Sequence, residues 1–500
     1  MKSLRLTGTL IVLLILAACS KDGINPVNSS LKPNGGNALP SGNYCGTVIN
    51  VAAPDGIDDD QKLLDAFTAA KLAGPGSVVQ LAEGTYRVGF IEIRDFFGSF
   101  VGAGKGKSII TFKTDLDCSG FYPNDMKNWH IFIKFIGGDI YMADMTLTTP
   151  EEKICRDGSG AAFKGAAMGQ IIFSSLSANG DPEIPYIKVW VNNVDFIGKK
   201  VSWGPGYNFI GALYCAHNGA KPIKEPRGRG DIKVTNCSFD TFLETTIFGW
   251  LSGSKIIVGE KNNGNLFKNC MTGVVFRDNI DDDFKVTGNK FYLEGQFGIM
   301  FNNGFWGATT DDPQTRRTTI DIQQNEFNIK KKVVNNTWTN GIIIQDPRRW
   351  KGENLPVAVL IKNNLFKFTE EGFRGILLAS TRDAVIRNNK FTGDGYEGIL
   401  STYGIINNVL LDNGNGLVLG NNFSGSKFSL ASIRLLPNTN NWSIVGGGSS
   451  NETILNFGTN NLITGVNIKD SDVPLGETIK DNMDMINDMF RVIKKSDSPF

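Results

Sequence analysis

Among the stretches of this 500-residue chain that set a carboxylate near arginine, two stand out: Arg277-Asp278, and Asp346 followed by Arg348, Arg349 and Trp350. A third stretch, Asn302-Asn303, carries amides in the same places, and Gln345 precedes Asp346 as Asn302 precedes Asn303. Two carboxylates held roughly 6.5 to 9.5 Å apart can work across a glycosidic bond as general acid and general base, with a water between base and sugar. Arginine beside an aromatic ring adds a clamp for a carboxylate and a face on which a sugar stacks. On a uronate the competing chemistry is β-elimination, in which Arg, Lys, His or Tyr removes the proton beside the carboxylate. His217, one of two histidines, follows in a segment that also holds Trp203, Tyr207, Lys221, Lys224, Arg227 and Arg229. The candidate catalytic residues are therefore Asp278, Asp346, Arg277 and His217. The candidate substrate contacts are Asn302, Asn303, Gln345, Arg348, Arg349, Trp350, Trp250 and Tyr403.

These residues need a scaffold that brings distant stretches side by side, and the sequence contains one. An apolar strand ending in Asn, then one or two residues, then Phe, recurs in Val191–Phe196, Val234–Phe239, Val286–Phe291, Ile322–Phe327, Ile361–Phe366 and Ile386–Phe391. Between the copies stand Gly-led strands: Gly273-Val274-Val275-Phe276, Gly298-Ile299-Met300-Phe301, Gly341-Ile342-Ile343-Ile344, Gly375-Ile376-Leu377-Leu378 and Gly398-Ile399-Leu400-Ser401. Period-two strands separated by Asn and Gly turns, repeating every few tens of residues, describe an all-β solenoid whose coils stack about 4.8 Å apart. Asn suits the turn because it accepts left-handed angles, and its amide can bond the equivalent amide one coil away. Inward Phe and Ile then form columns. Alternation along the Gly-led strands sends Ile299, Ile342 and Ile376 inward and Met300, Ile343 and Leu377 outward. The next outward row is Arg277, Asn302, Gln345, Ala379 and Thr402. Asp278, Asn303, Asp346, Ser380 and Tyr403 follow where the strands leave the sheet. Asp278 and Asp346 thus stand two coils, roughly 10 Å, apart.

The repeat resembles the pectin-lyase-like family of right-handed parallel β-helices from about Val51 to Ile468. The entry segment matches as well: Asp55 to Gln61 followed by Leu63, Leu64, Phe67 and Ala70 reads as an N-terminal capping helix, and Gly84–Val88 and Val101–Ile110 read as first coils. The resemblance implies that the Gly-led strands line a groove in which polysaccharides lie. It does not name a reaction. The Asn-Thr-Asp, Gly-His-Gly and Arg-Ile-Lys motifs of polygalacturonase-like members are missing. His217 stands in Ala216-His217-Asn218, Asp282 and Asp283 precede Phe284 on another strand, and no Arg-x-Pro-x-x-Arg of pectate lyases occurs.

Every candidate has a second reading. Asp at a strand-to-turn junction caps the turn, Arg348 and Arg349 can be solvated loop charges, and the tryptophans can pack loops. Asp281, Asp282 and Asp283 read as a solvated bend, where calcium is the one cofactor the sequence admits. Two functions stay open: cleavage of a complex, uronate-containing or other, polysaccharide by a hydrolase or lyase, and non-catalytic glycan binding or adhesion.

The N-terminus supplies an address. Lys2 and Arg5, an apolar run from Leu10 to Leu16, and Leu16-Ala17-Ala18-Cys19 have the shape of a secretory signal, too short to span a bilayer permanently. The last four resemble the lipobox of bacterial lipoproteins, which implies lipidation of Cys19, and Ser20 implies the outer membrane. The resulting division is a signal peptide at 1–18, a flexible tether at 19–44, the β-helix at 45–470, and a short C-terminal capping helix and tail at 471–500, where Ile479, Met483, Ile486, Phe490 and Ile493 share a helical face. The other six cysteines permit disulfides or buried thiols alike. With 51 basic and 50 acidic residues the net charge is +1, which excludes nucleic acid as the general partner.

Overall fold

From Asn193 to Gly420 each coil of the folded chain turns at a residue in the left-handed region: Asn193 (φ 54°), Asn236 (56°), Gly259 (75°), Gly288 (73°), Gln324 (57°), Asn363 (56°), Asn388 (55°) and Gly420 (60°). The computed structural model describes residues 46–114, 130–150, 167–174, 186–198, 209–216, 228–242, 244–249, 251–277, 279, 281–302, 318–330, 339–345, 357–379, 381, 383–402, 404–406, 409–411, 413–446, 452–464 and 467–468. The two tasks expected of one Asn are divided between neighbours. The first turn residue takes the left-handed angles. The second, buried at Asn265, Asn289, Asn325, Asn364, Asn389 and Asn421, builds the ladder. The first five donate Nδ2 to the next one's Oδ1 at 2.9–3.0 Å, and all six donate it to a strand carbonyl one coil back at 2.8–3.0 Å.

Beyond the turn, the Phe column runs unbroken through Phe196, Phe239, Phe267, Phe291, Phe327, Phe366, Phe391 and Phe423, with ring centroids 4.6–4.9 Å apart. Phe267 and Phe423 extend the expected column by two coils. The Phe strands pass into the Gly-led strands, which form sheet A. The strands that lead into the Asn turn form sheet B. Neighbouring coils pair in parallel throughout, and the one antiparallel pair among the described strands is the hairpin Gly404–Ile406 with Val409–Leu411. This is the right-handed parallel β-helix the repeat requires.

Helix α1 (Asp60–Ala73) closes the N-terminal end, with Leu63, Ala66, Phe67 and Ala70 buried. The Phe67 ring meets Phe96 at 5.0 Å, Phe100 at 5.1 Å and Phe135 at 5.6 Å. The aspartate run does start this helix, although Asp59 does not cap it through its side chain. Its buried carboxylate accepts the Arg87 amide at 2.9 Å and Lys62 Nζ at 2.8 Å, tying the helix to the first coil. The signal segment, Cys19, the tether and the C-terminal helix lie outside the described residues. Cys215, Cys237 and Cys270 are free, buried thiols.

Candidate functional site

On sheet A the expected outward row is present in register: Arg277 pairs with Asn302, Asn302 with Gln345, Gln345 with Ala379, and Ala379 with Thr402. Val274, Ile299, Ile342 and Ile376 belong to the core, as alternation requires. Among the described residues this row does not line an open groove. Arg277, Asn302 and Gln345 are only 4%, 4% and 6% exposed, and the outer apolar row Val275, Met300, Ile343, Leu377 and Leu400 is buried too. Outward orientation on a pleated sheet is a statement about direction; here the outer face is itself covered. Asp278, Asn303, Asp346, Arg348, Arg349, Trp350, Trp250, Tyr403 and His217 lie outside the described residues, so three of the expected site residues are brought together and these nine are not placed.

The same face holds a charged cluster that sequence reasoning missed. Asn340, Arg374 and Glu397 occupy one row on consecutive coils. Arg374 Nε and Nη2 meet Glu397 Oε2 at 2.6 and 2.5 Å, Arg434 Nε from the following coil pairs with Oε1, and Arg374 Nη1 donates to Asn340 Oδ1 at 3.4 Å. The Arg374 guanidinium lies 4.5 Å from the centre of the Phe373 ring, which stacks on Tyr396. All three charged side chains are buried, and burial lowers the Arg374 pKa against the opposing pull of Glu397. A carboxylate sealed between two guanidiniums joins coils and does not meet a substrate. The available signal was a charged residue immediately before the strand glycine, as in Arg374-Gly375 and Glu397-Gly398.

The acidic bend is also buried, contrary to its solvated reading: Asp281 is 5% and Asp282 0% exposed. Asp282 Oδ1 accepts the Ser254 amide at 2.6 Å, while Asp283 Oδ1 accepts Thr319 Oγ1 at 2.6 Å. Asp282 and Asp283 thus hold separate backbone and side-chain partners, and among the described residues no three His, Cys, Asp or Glu side chains converge as a metal site would need.

An accessible site lies instead on the outer face of sheet B. In Tyr186–Ile197, alternation buries Ile187, Val189 and Val191 and turns Tyr186, Lys188, Trp190 and Asn192 outward. The register then aligns two outward rows across the N-terminal coils. One reads Ser99, Tyr141, Trp190, Lys233, Ile257; the other reads Phe97, Asp139, Lys188, Asp231, Lys255. Together with Val78 and the Gly46 and Gly76 backbone they line a groove of about 540 Å³.

Tyr141 and Trp190 pack edge to face, 5.1 Å between centroids, and Lys233 Nζ sits 4.7 Å from the Trp190 ring centre. A hydrogen-bonded chain fixes the platform: Trp190 Nε1 donates to Thr235 Oγ1 at 3.0 Å, Thr235 Oγ1 to Asn192 Oδ1 at 3.0 Å, and Asn192 Nδ2 to the Tyr141 phenol at 3.3 Å. Burial raises the Tyr141 pKa, and burial with the Asp231 hydrogen bond pushes Tyr186 up to about 12. Lys188 pairs with Asp139 at 3.0 Å and Lys233 with Glu260 at 3.0 Å. Such a surface can hold rings and hydroxyls. Its two carboxylates are already engaged, Asp139 by Lys188 at 3.0 Å and Asp231 by the Tyr186 phenol at 2.9 Å. The alternation of Tyr186-Ile187-Lys188-Val189-Trp190 is the sequence signal for this face.

Fold and faces together define the class of protein, a right-handed parallel β-helix. No protein-family model matches the chain, and no curated protein matches it. Among solved structures, the family 28 exopolygalacturonase of Yersinia enterocolitica is 11% identical over 86% of this chain and 79% of its own, with a TM-score of 0.45. The Dettilon tailspike protein is 13% identical over 84% and 67%, with a TM-score of 0.45. The surface adhesin PfbA of Streptococcus pneumoniae is 16% identical over 80% and 100%, with a TM-score of 0.40. At these identities the likeness is one of fold.

Proposed function

We propose that the chain is a polysaccharide-binding β-helix lipoprotein of the bacterial cell envelope, anchored through Cys19 to the outer membrane and holding a glycan in the sheet B groove. The observation that carries this reading is the Tyr141–Trp190 platform, two partly exposed rings held by the Thr235 and Asn192 hydrogen bonds and flanked by lysines and aspartates. An aromatic face locked before the ligand arrives costs little to order, which is how rigid rings yield affinity. Cleavage along sheet A is the competing reading. The burial of Arg277, Asn302 and Gln345 weighs against it, because a polymer cannot reach covered side chains.

The test is binding of the full chain to an array of plant, algal and host polysaccharides, with reducing ends and unsaturated products read on the same samples. Retention without product is expected, and Trp190→Ala should weaken it about tenfold, the equivalent of about 1.4 kcal/mol of lost stacking. Retention on no glycan refutes the function. Release of product that survives Trp190→Ala replaces it with the enzymatic reading.

A further inference from the structure

Resting on that reading of the groove, we infer that its ligand is a neutral glycan lying along the helix axis, across the strands of sheet B. The charge pattern selects the class. Along the row Asp139, Lys188, Asp231, Lys255 the sign alternates at every coil. Coils repeat about every 4.8 Å, well inside the Debye length of about 8 Å, so a charge on the ligand meets attraction and repulsion together. Two of the three lysines are also already matched, Lys188 by Asp139 and Lys233 by Glu260. A uronate or sulfated chain, with its charge recurring along the polymer, would set anions against Asp139 and Asp231. Hydroxyls donate and accept, and so satisfy aspartate and lysine alike.

The shape selects the direction. Val78, Ser99, Tyr141, Trp190, Lys233 and Ile257 stand on six consecutive coils of one row. Five intervals of about 4.8 Å make the groove about 24 Å long, whereas its two outward rows are about 7 Å apart along a strand. Only a chain parallel to the helix axis can touch the Phe97 end, the Tyr141–Trp190 platform and the Ile257 end at once.

Calorimetry on the full chain tests both statements, with neutral glucan, xylan and mannan oligosaccharides beside oligogalacturonate, alginate and sulfated oligosaccharides. Neutral oligosaccharides are expected to bind, with affinity changing by less than about twofold between about 0.05 and 0.5 M salt. Affinity that favours the anionic set and falls with salt overturns the neutral class while leaving glycan binding intact. Binding of neither set, or binding indifferent to Trp190→Ala, instead removes the groove as a glycan site. For direction, Phe97→Ala and Ile257→Ala are each expected to weaken a long oligosaccharide more than a disaccharide. Equal effects at both lengths, or no effect at either, overturn the axial placement.

Discussion

The Asn ladder can be tested at one rung. The Asn325 side chain donates to Val286 O at 2.9 Å and Asn364 Oδ1 at 3.0 Å, and accepts the Asn289 amide at 2.9 Å and Asn289 Nδ2 at 3.0 Å. Truncation to Ala does not orphan all four partners. Asn289 Nδ2 keeps Val258 O at 2.8 Å, and Asn364 Oδ1 keeps the Asn325 amide at 2.9 Å. One buried backbone group, the Asn289 N–H, loses its partner, whereas the Val286 carbonyl keeps its place in the strand ladder, where Thr287 pairs with Gln323. At about 1–3 kcal/mol for that orphan, Asn325→Ala should cost about 1–3 kcal/mol. Gln324→Ala, one residue earlier, is the control. Gln324 is exposed and carries the left-handed angle, and Ala retains the same Cβ strain, so the change should stay within about 0.5 kcal/mol. Because stacked coils need not unfold as one unit, hydrogen exchange at the Asn289 amide is the direct measurement, with the urea midpoint beside it. If Asn325→Ala leaves that amide as protected as Gln324→Ala does, the ladder is not what holds the turn.

Glu397→Gln should lower the unfolding midpoint by the equivalent of about 3–5 kcal/mol, since it leaves Arg374 and Arg434 buried around a neutral group; an unchanged midpoint would mean that the cluster is solvated. The thiols of Cys215, Cys237 and Cys270 should resist maleimide until urea unfolds the chain, because burial raises all three, Cys237 to about 12 and Cys270 to about 11. Fast labelling of any of them in the native protein, mapped by mass spectrometry, would contradict their sealed packing. Tyr186 is raised from 10.0 to about 12, so the folded state holds its proton after the unfolded state has lost it. Its contribution is fully present below pH 10 and is lost as pH rises towards 12. Ultraviolet phenolate titration should show that late step, and Tyr186→Phe should abolish it.

Much of the architecture was readable because the relevant signals are short and periodic. The row Arg277, Asn302, Gln345, Ala379, Thr402 followed from alternation and a repeated glycine, and the pairing is as expected. What alternation cannot report is whether an outward face is also an open one. Val275, Met300 and Ile343 point away from the core and are buried all the same. The aspartates at 281 to 283 misled for a similar reason. Asp282 is needed by the Ser254 amide one coil back, a partner 28 positions away in sequence. The outward placement of Trp190 and Tyr141 follows from the same alternation, yet nothing local says that sheet B, and not sheet A, leaves such residues accessible.

The asparagine ladder has a last consequence. Its successive residues are separated in sequence by 24, 36, 39, 25 and 32 positions, while the bonds joining them stay at 2.9–3.0 Å. The interior therefore keeps a constant pitch whatever length of chain is spent between rungs. Excursions at the corners can lengthen, shorten or exchange their chemistry without the core being solved afresh, so the surface of such a rod can diversify rapidly while its axis stays conserved in geometry.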